Sequence, residues 1–152
     1  MLQLDQLLSP ARTLCAAPGA SKKRLFETAA EFICADQQQL ESKEIYSKLL
    51  ARERLGSTAL GEGIAIPHCR ISHCERAVGT LITLEQGIDF DSPDGRPVDL
   101  LFLLLVPEEE QQEHLNILAG LAQLLSEAGF CAALRNASSN EELYRAAVGF
   151  QL

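Results

Sequence analysis

The sequence is short of positive charge. It carries 13 Lys+Arg against 21 Asp+Glu, a formal net charge of −8, and no basic cluster of the kind that neutralises nucleic-acid phosphates or holds an anionic membrane. Nucleic acid is therefore not an expected partner. Long apolar runs are also missing. The longest, Leu100 to Val106, is far short of the ~20 residues a membrane-spanning helix needs, so no membrane insertion is expected. The N-terminus MLQLDQLLSPAR has no basic start followed by an apolar stretch and a small-residue cleavage site, which is how a secretory signal reads. A disulfide framework is excluded as well, because five cysteines are an odd number and fit free thiols in a reducing compartment. The cytoplasm is the expected location. Repeats, low-complexity tracts and any linker longer than a loop are absent.

What is present suffices for one folded unit. A chain of 152 residues, 47% hydrophobic, can bury about 68–70% of the surface its unfolded form exposes, and we expect a single domain over 1–152. Leu25, Phe26, Ala29, Ala30, Phe32 and Ile33 recur at helical spacing behind a Ser21 cap, predicting a helix to about Asp36. A second begins near Ser42 and stops at Gly56; Ile45, Leu49 and Arg52 share its inner stripe. Extended segments are expected at Gly63–Ile66, Ala77–Leu84 and Asp99–Val106. The last is apolar without alternation, as a strand covered on both faces is. The acids Glu108 to Glu110 precede a helix carrying Leu115, Leu118, Leu121, Ala122 and Leu125 and ending near Gly129. Ser139 to Glu142 resembles a capping box for a last helix with Leu143, Tyr144, Ala147 and Val148. Helices alternating with strands give an α/β fold with a mixed central β-sheet flanked by helices.

The chemistry concentrates between Arg52 and His68. Gly56, Gly61 and Gly63 with Ser57 and Thr58 lie between a helix end and a short apolar strand, and Pro67 keeps Ile66 extended and delivers His68 at the strand's exit. Glycine backbone can approach a phosphate closely, Ser57 and Thr58 offer hydroxyls, and Arg52 offers a positive fork. Around one imidazole nitrogen these are the parts an N-phosphoryl group needs. His114 stands four, seven and eleven residues before Leu118, Leu121 and Leu125, so it lies on the buried stripe of its helix. In the first turn the helix dipole disfavours an imidazolium and favours an anion. Arg52, Arg54 and Arg70 are close to His68 in sequence, against the acidic sign of the whole.

Bland readings stand beside these. Arg52 can snorkel from a helix end with its stem on Ile45 and Leu49, Ser57 and Thr58 can be ordinary turn residues, and His114 can be a core histidine. His68, Cys69, His73 and Cys74 could instead supply N and S ligands to zinc or act as a thiol-based regulatory module, although adjacent pairs are unlike the usual C-x₂₋₄-C spacing and neighbours on a strand point to opposite faces. His73 and Cys74 are expected in an exposed loop, and Cys15, Cys34 and Cys131 as small buried residues.

The run GSTALGEGIAIPH resembles the active-site segment of the IIA domains of the bacterial phosphotransferase system, fructose/mannitol superfamily. RAVG at Arg76–Gly79, PVDLLFLLLVPE at Pro97–Glu108, His114-Leu115 and EELY at Glu141–Tyr144 look most like the nitrogen-regulatory branch. The resemblance runs from about Leu2 to Val148. It implies that His68 is the phosphoryl acceptor, that the residue matching His114 supports it and that Arg52 assists transfer. It also implies a phosphoryl group arriving from phosphoenolpyruvate through an enzyme-I-like protein and a histidine phosphocarrier protein, with no cofactor and no metal. Regulatory targets such as potassium transporters or sensor kinases are implied, the alternative within the family being a carrier feeding a sugar permease. Two departures stand out. Cys69 replaces a usual glycine, setting bulk and a thiol beside the nucleophile, and Glu62 replaces a neutral polar residue, setting a negative charge near an incoming phosphate. With a phosphocarrier as donor, the net charge predicts an acidic face that steers a more basic partner, with on-rates that fall as salt rises.

Overall fold

Two serines open two helices where their spacing predicts. In the computed structural model, which describes residues 2–19, 21–109 and 112–150, Ser21 accepts the Arg24 amide and Ser139 the Glu142 amide, each satisfying an otherwise orphaned helical N–H. In chain order the helices are α1 (Leu4–Leu7), α2 (Lys22–Asp36), α3 (Ser42–Leu55), α4 (Gln112–Leu125), α5 (Ala128–Asn136) and α6 (Asn140–Val148), and a single 3₁₀ turn covers Pro10–Arg12. The strands are β1 (Thr13–Ala17), β2 (Ala59–Gly61), β3 (Ile64–Ala65), β4 (His68–Ile71), β5 (Val78–Ile88) and β6 (Val98–Pro107). They form one sheet in the order β1-β5-β6-β3-β2, with β4 also on β6. β5 runs antiparallel to β6 and β2 to β3, whereas β1 pairs parallel to β5 and both β3 and β4 parallel to β6. The fold is α/β with a mixed sheet.

β6 is the axis of this arrangement. Val98, Leu101, Leu103 and Leu105 pack on one face with Phe26, Ala29, Ile33, Ile45 and Leu49 of α2 and α3. Leu100, Phe102, Leu104 and Val106 pack on the other with α1 and α4–α6. Because side chains alternate along a strand and both faces are covered, every position must be apolar, which is why this segment reads as a continuous run. Each such leucine, fully removed from water, contributes on the order of 1.5–3 kcal/mol.

The structure departs from the expected elements in particular places. Helix α4 ends at Leu125, before Gly129, and the next helix packs at 81° to it. Gly129 falls inside α5, a helix that the apolar spacing alone did not separate from α4. Phe32 is half-buried, not core. Glu108 and Glu109 are exposed and precede α4, while Glu110 lies outside the described residues. Among the described residues no single helix is long and apolar enough to cross a membrane. The outer edge of β1 is closed by side chains: the Cys15 amide donates to Asn140 Oδ1 at 2.7 Å, a blunted edge that resists pairing with another chain.

Arg12 ties the N-terminal segment to the sheet. It is 8% exposed; its Nη1 donates to the carbonyls of Leu7 (2.8 Å) and Gly79, and its Nε to Asp36 Oδ2 at 2.9 Å. Arg12→Met removes the donor from two carbonyls and a carboxylate at once. The expected loss is about 3 kcal/mol, measured as a lowered urea midpoint, with a smaller loss for Asp36→Asn because that carboxylate is partly solvated.

Candidate functional site

A broken strand aims the central histidine. β3 and β4 both lie parallel on β6 without a change of register, Ile64 opposite Leu100 and Ala65 opposite Leu101, then His68 opposite Leu104 and Cys69 opposite Leu105. The interruption falls at Ile66-Pro67, where proline has no N–H for the ladder, and the Leu104 amide bridges it by donating to the Pro67 carbonyl at 2.9 Å. His68 therefore leaves one strand piece and opens the next. Ile64 and Ile66 belong to the α4 face and Ala65 and Cys69 to the α3 face, so alternation turns the His68 ring toward α4.

There it meets His114. The two ring centroids are 5.6 Å apart at 71°, edge to face. His114, Ile117, Leu121 and Leu125 form the buried stripe of α4, so the spacing argument for His114 holds. His68 Nδ1 lies 2.7 Å from the Ile66 carbonyl oxygen. A carbonyl only accepts, so Nδ1 carries the proton and Nε2 is left with its lone pair. Burial lowers the affinity of the His68 ring for a second proton. The Ile66 bond opposes that, the Arg52 charge adds to it, and Glu53 opposes it. His114 is likewise pushed down, first by burial and then by His68 and Arg70. Among the described residues neither of its buried nitrogens has a hydrogen-bond partner, an arrangement that costs free energy unless one is supplied. The site thus holds two neutral imidazoles at neutral pH, one with its Nε2 lone pair free and the other with both nitrogens unpartnered among the described residues.

The C-terminal turn of α3 supplies the charge. Arg52 is half-buried, donates from Nη1 to the Gly56 carbonyl at 3.0 Å and acts electrostatically on His68. The inner stripe, however, is Ile45, Leu49 and Glu53, with Arg52 beside it. Glu53 was not singled out from the sequence, although it stands four residues after Leu49 on the same face, where a carboxylate is conspicuous. Its oxygens accept the Thr58 amide (2.9 Å) and Thr58 Oγ1 (2.7 Å), and Lys22 Nζ lies 3.1 Å away. The Ser57 hydroxyl donates to the Phe90 carbonyl and accepts the Ala59 amide. Both hydroxyls therefore hold the loop in this state, their hydrogens committed to protein acceptors.

Other expected residues are dispersed. Gly61 and Gly63 do not join the site; they flank Glu62 in the β2–β3 hairpin turn. Gly63 lies five residues of extended chain before His68, roughly 16 Å. The Glu62 amide donates to Asp94 Oδ2 at 2.8 Å and its carbonyl accepts Arg135 Nη2 at 2.8 Å, so the departure at Glu62 sits away from the imidazoles. At Gly63 φ is +80° and an added Cβ would stand 2.8 Å from Arg135 Nη2 and 2.9 Å from Asp99 Oδ1, so the close approach and the left-handed backbone both require glycine. Cys69, though adjacent in sequence to His68, faces the opposite core and is not beside the His68 ring. Burial pushes its thiol up to about 12, so it stays protonated. Arg70 shares the His68 face and influences His114, and Arg54 is exposed on α3. His73 is exposed, but Cys74 is buried, not in an exposed loop. Cys131 is buried, while Cys15 and Cys34 are only half-buried. The zinc reading fails on this geometry: His68 and Cys69 diverge, and among the described residues no three His, Cys, Asp or Glu side chains gather as a metal site.

Fold and site together define a mixed-sheet α/β protein built around a strand-mounted imidazole, an arginine and a second imidazole. The sequence profile of the phosphoenolpyruvate-dependent sugar phosphotransferase system, EIIA 2, matches residues 6–147, and the chain belongs to that family. Within it, the chain is similar over its whole length to a nitrogen regulatory protein of Pseudomonas aeruginosa, 44% identical over 151 residues, covering 99% of this chain and 98% of that one. The crystal structure of nitrogen regulatory protein IIA-Ntr from Neisseria meningitidis superposes with a TM-score of 0.87 at 38% identity, covering 95% of this chain and 98% of that one. IIA mannitol from Escherichia coli shares the fold at a TM-score of 0.72 and 20% identity, covering 92% and 98% of the two chains.

The lowered affinities of both imidazoles predict a pH dependence of stability. The unfolded chain takes up these protons near the ordinary value of 6.5, the folded chain only below it. The unfolded state thus binds more protons in that window, and stability rises with pH. The contribution is present above the ordinary value of 6.5 and is lost as pH falls below it toward the depressed folded-state values. Urea unfolding from pH 5 to 7.5 should show this rise, and His114→Gln should flatten it; an unchanged slope in that variant contradicts the assignment.

Proposed function

We propose that this protein is a phosphoryl-accepting regulatory IIA protein, one domain over 1–152, that takes a phosphoryl group on His68 from a histidine phosphocarrier protein charged by an enzyme-I-like protein and phosphoenolpyruvate. The observation that carries the reading is the Ile66 carbonyl on His68 Nδ1, which frees Nε2 for attack. In the transfer, the bond from His68 Nε2 to phosphorus forms as the donor's N–P bond breaks. The donor imidazole departs with its electron pair restored, and the His68 ring becomes positive while its proton stays on Nδ1, still donated to the Ile66 carbonyl. Nothing covalent is required of the surroundings beyond position and charge. Arg52 stabilises the phosphoryl oxygens, His114 donates to one of them and thereby acquires its missing partner, and Ser57 and Thr58 shape the phosphate-facing loop from its scaffold side.

Phosphorylation adds about −1.5 to −2 charge beside two arginines and a helix N-terminus, and the difference between the two states is the signal, read by targets such as potassium transporters or sensor kinases. The donor's phosphoenolpyruvate chemistry places the exchange in the cytoplasm. The net charge of −8 favours a basic donor and a rate that falls as salt rises.

Intact mass after incubation with phosphoenolpyruvate and the two upstream carriers should show one acid-labile phosphate on the wild type and none on His68→Ala. Arg52→Ala should be phosphorylated roughly 100-fold more slowly. Persistence of the phosphate in His68→Ala would overturn the reading.

A further inference from the structure

We propose that Glu53 is a positioning residue for the phosphoryl acceptor, holding the His68 ring in its reactive orientation through Thr58 and Ile66; this rests on His68 being the acceptor. The path is continuous on the structure. Glu53 accepts from the Thr58 amide at 2.9 Å and from Thr58 Oγ1 at 2.7 Å. The Thr58 carbonyl accepts the Ile66 amide at 3.1 Å, and the Ile66 carbonyl accepts His68 Nδ1–H at 2.7 Å. The N–H and C=O of each residue belong to different peptide groups, so the linkage is mechanical. Glu53 fixes Thr58, Thr58 fixes the height of Ile66, and Ile66 chooses which nitrogen of His68 keeps the proton.

A carboxylate in this place needs an explanation, because a buried charge is costly unless it is paired and fully hydrogen-bonded. Glu53 is both. Its side chain is 4% exposed and faces Lys22 at 3.1 Å, and Lys22 is itself held over the Phe90 ring at 4.6 Å. Phe90 in turn accepts the Ser57 hydroxyl, so the loop is clamped at two successive residues. Thr58 presents two donors to Glu53, and one carboxylate can accept both while also accepting Lys22; an amide in its place offers a single acceptor oxygen. Around the His68 ring the charged and titratable groups are Arg52 and Glu53 from α3 and His114 from α4, with Arg70 of β4 acting on His114. Arg52 faces the phosphate and Glu53 the scaffold, so consecutive residues of one helical turn divide binding from orientation.

The test combines ring-nitrogen NMR of ¹⁵N-histidine-labelled protein with single-turnover phosphorylation by the phosphocarrier. Wild type should show His68 as the Nδ1–H tautomer. Glu53→Ala should show a mixture of tautomers and a transfer rate constant at least tenfold lower, with the half-saturating donor concentration unchanged, since the docking face is intact. Glu53→Gln, which keeps the shape but only one acceptor oxygen, should fall between wild type and Glu53→Ala in both. If Glu53→Ala fails to fold, Thr58→Val serves with the same readouts, because it removes one of the two ties and keeps the amide; a mixed tautomer with a two- to fivefold slower rate is expected. A folded Glu53→Ala, or Thr58→Val in its place, that keeps the wild-type tautomer overturns the proposal whether or not its rate falls. A phosphate found on a residue other than His68 in wild type overturns the functional reading, and the tautomer result still judges the tie.

Discussion

The parallel pairing of residues 64–71 with β6 is the constraint on which the site depends. It is set by hydrophobic burial: Ile64, Ile66, Leu100, Phe102 and Leu104 enter one core while Ala65, Cys69, Leu101, Leu103 and Leu105 enter the other. A slip of one residue would exchange the faces and expose both sets to the wrong layer. The direction in which His68 points is thus fixed by some of the most deeply buried residues in the chain. Pro67 interrupts the ladder without disturbing the register, and that small break exposes the Ile66 carbonyl to the imidazole. Rigidity and reactivity come from the same strand.

The electrostatic design is local and opposes the overall charge. An acidic chain gathers Arg52 and Arg70 around two imidazoles whose burial keeps them uncharged. Positive charge therefore comes from groups that cannot lose it, and the titratable groups are left free to exchange a lone pair or a proton with a ligand. Among the described residues the nitrogens of His114 meet no partner, so their hydrogen-bonding capacity is held in reserve beside the His68 ring.

Much of this was legible from residue order. β6 announced itself by seven consecutive apolar residues, the caps at Ser21 and Ser139 by their spacing, and His68 and His114 by a strand exit and a helical stripe. Other parts were silent for physical reasons. β1 (Thr13–Ala17) has two half-buried residues and an exposed one between its buried ends, so neither alternation nor a continuous run marks it. β4 carries His and Arg on its outward positions and is four residues long. The break between α4 and α5 falls at Ser126-Glu127 without proline, and Gly129, the expected terminator, sits within the following helix. Glycines drew attention to Gly61–Gly63, where a hairpin needed them, while the loop near the imidazoles is held by Ser57, Thr58 and a buried carboxylate. Glu53 was visible as a charge on an apolar stripe, but Lys22 reaches it only through the packing of α2 on α3, and Thr58 only through the fold of the loop after Gly56.

The alternation at His68-Cys69 makes β4 a partition between two kinds of selection. On one side, a substitution is judged by what it does to the paired imidazoles. On the other, one residue away along the chain, it is judged by volume and apolarity, since Cys69 belongs to the core between the sheet and α2 and α3. Two neighbouring codons are therefore free to drift under unrelated rules. The side chain at position 69 therefore answers to how the helices settle against the sheet, while its neighbour answers to the imidazole across from it.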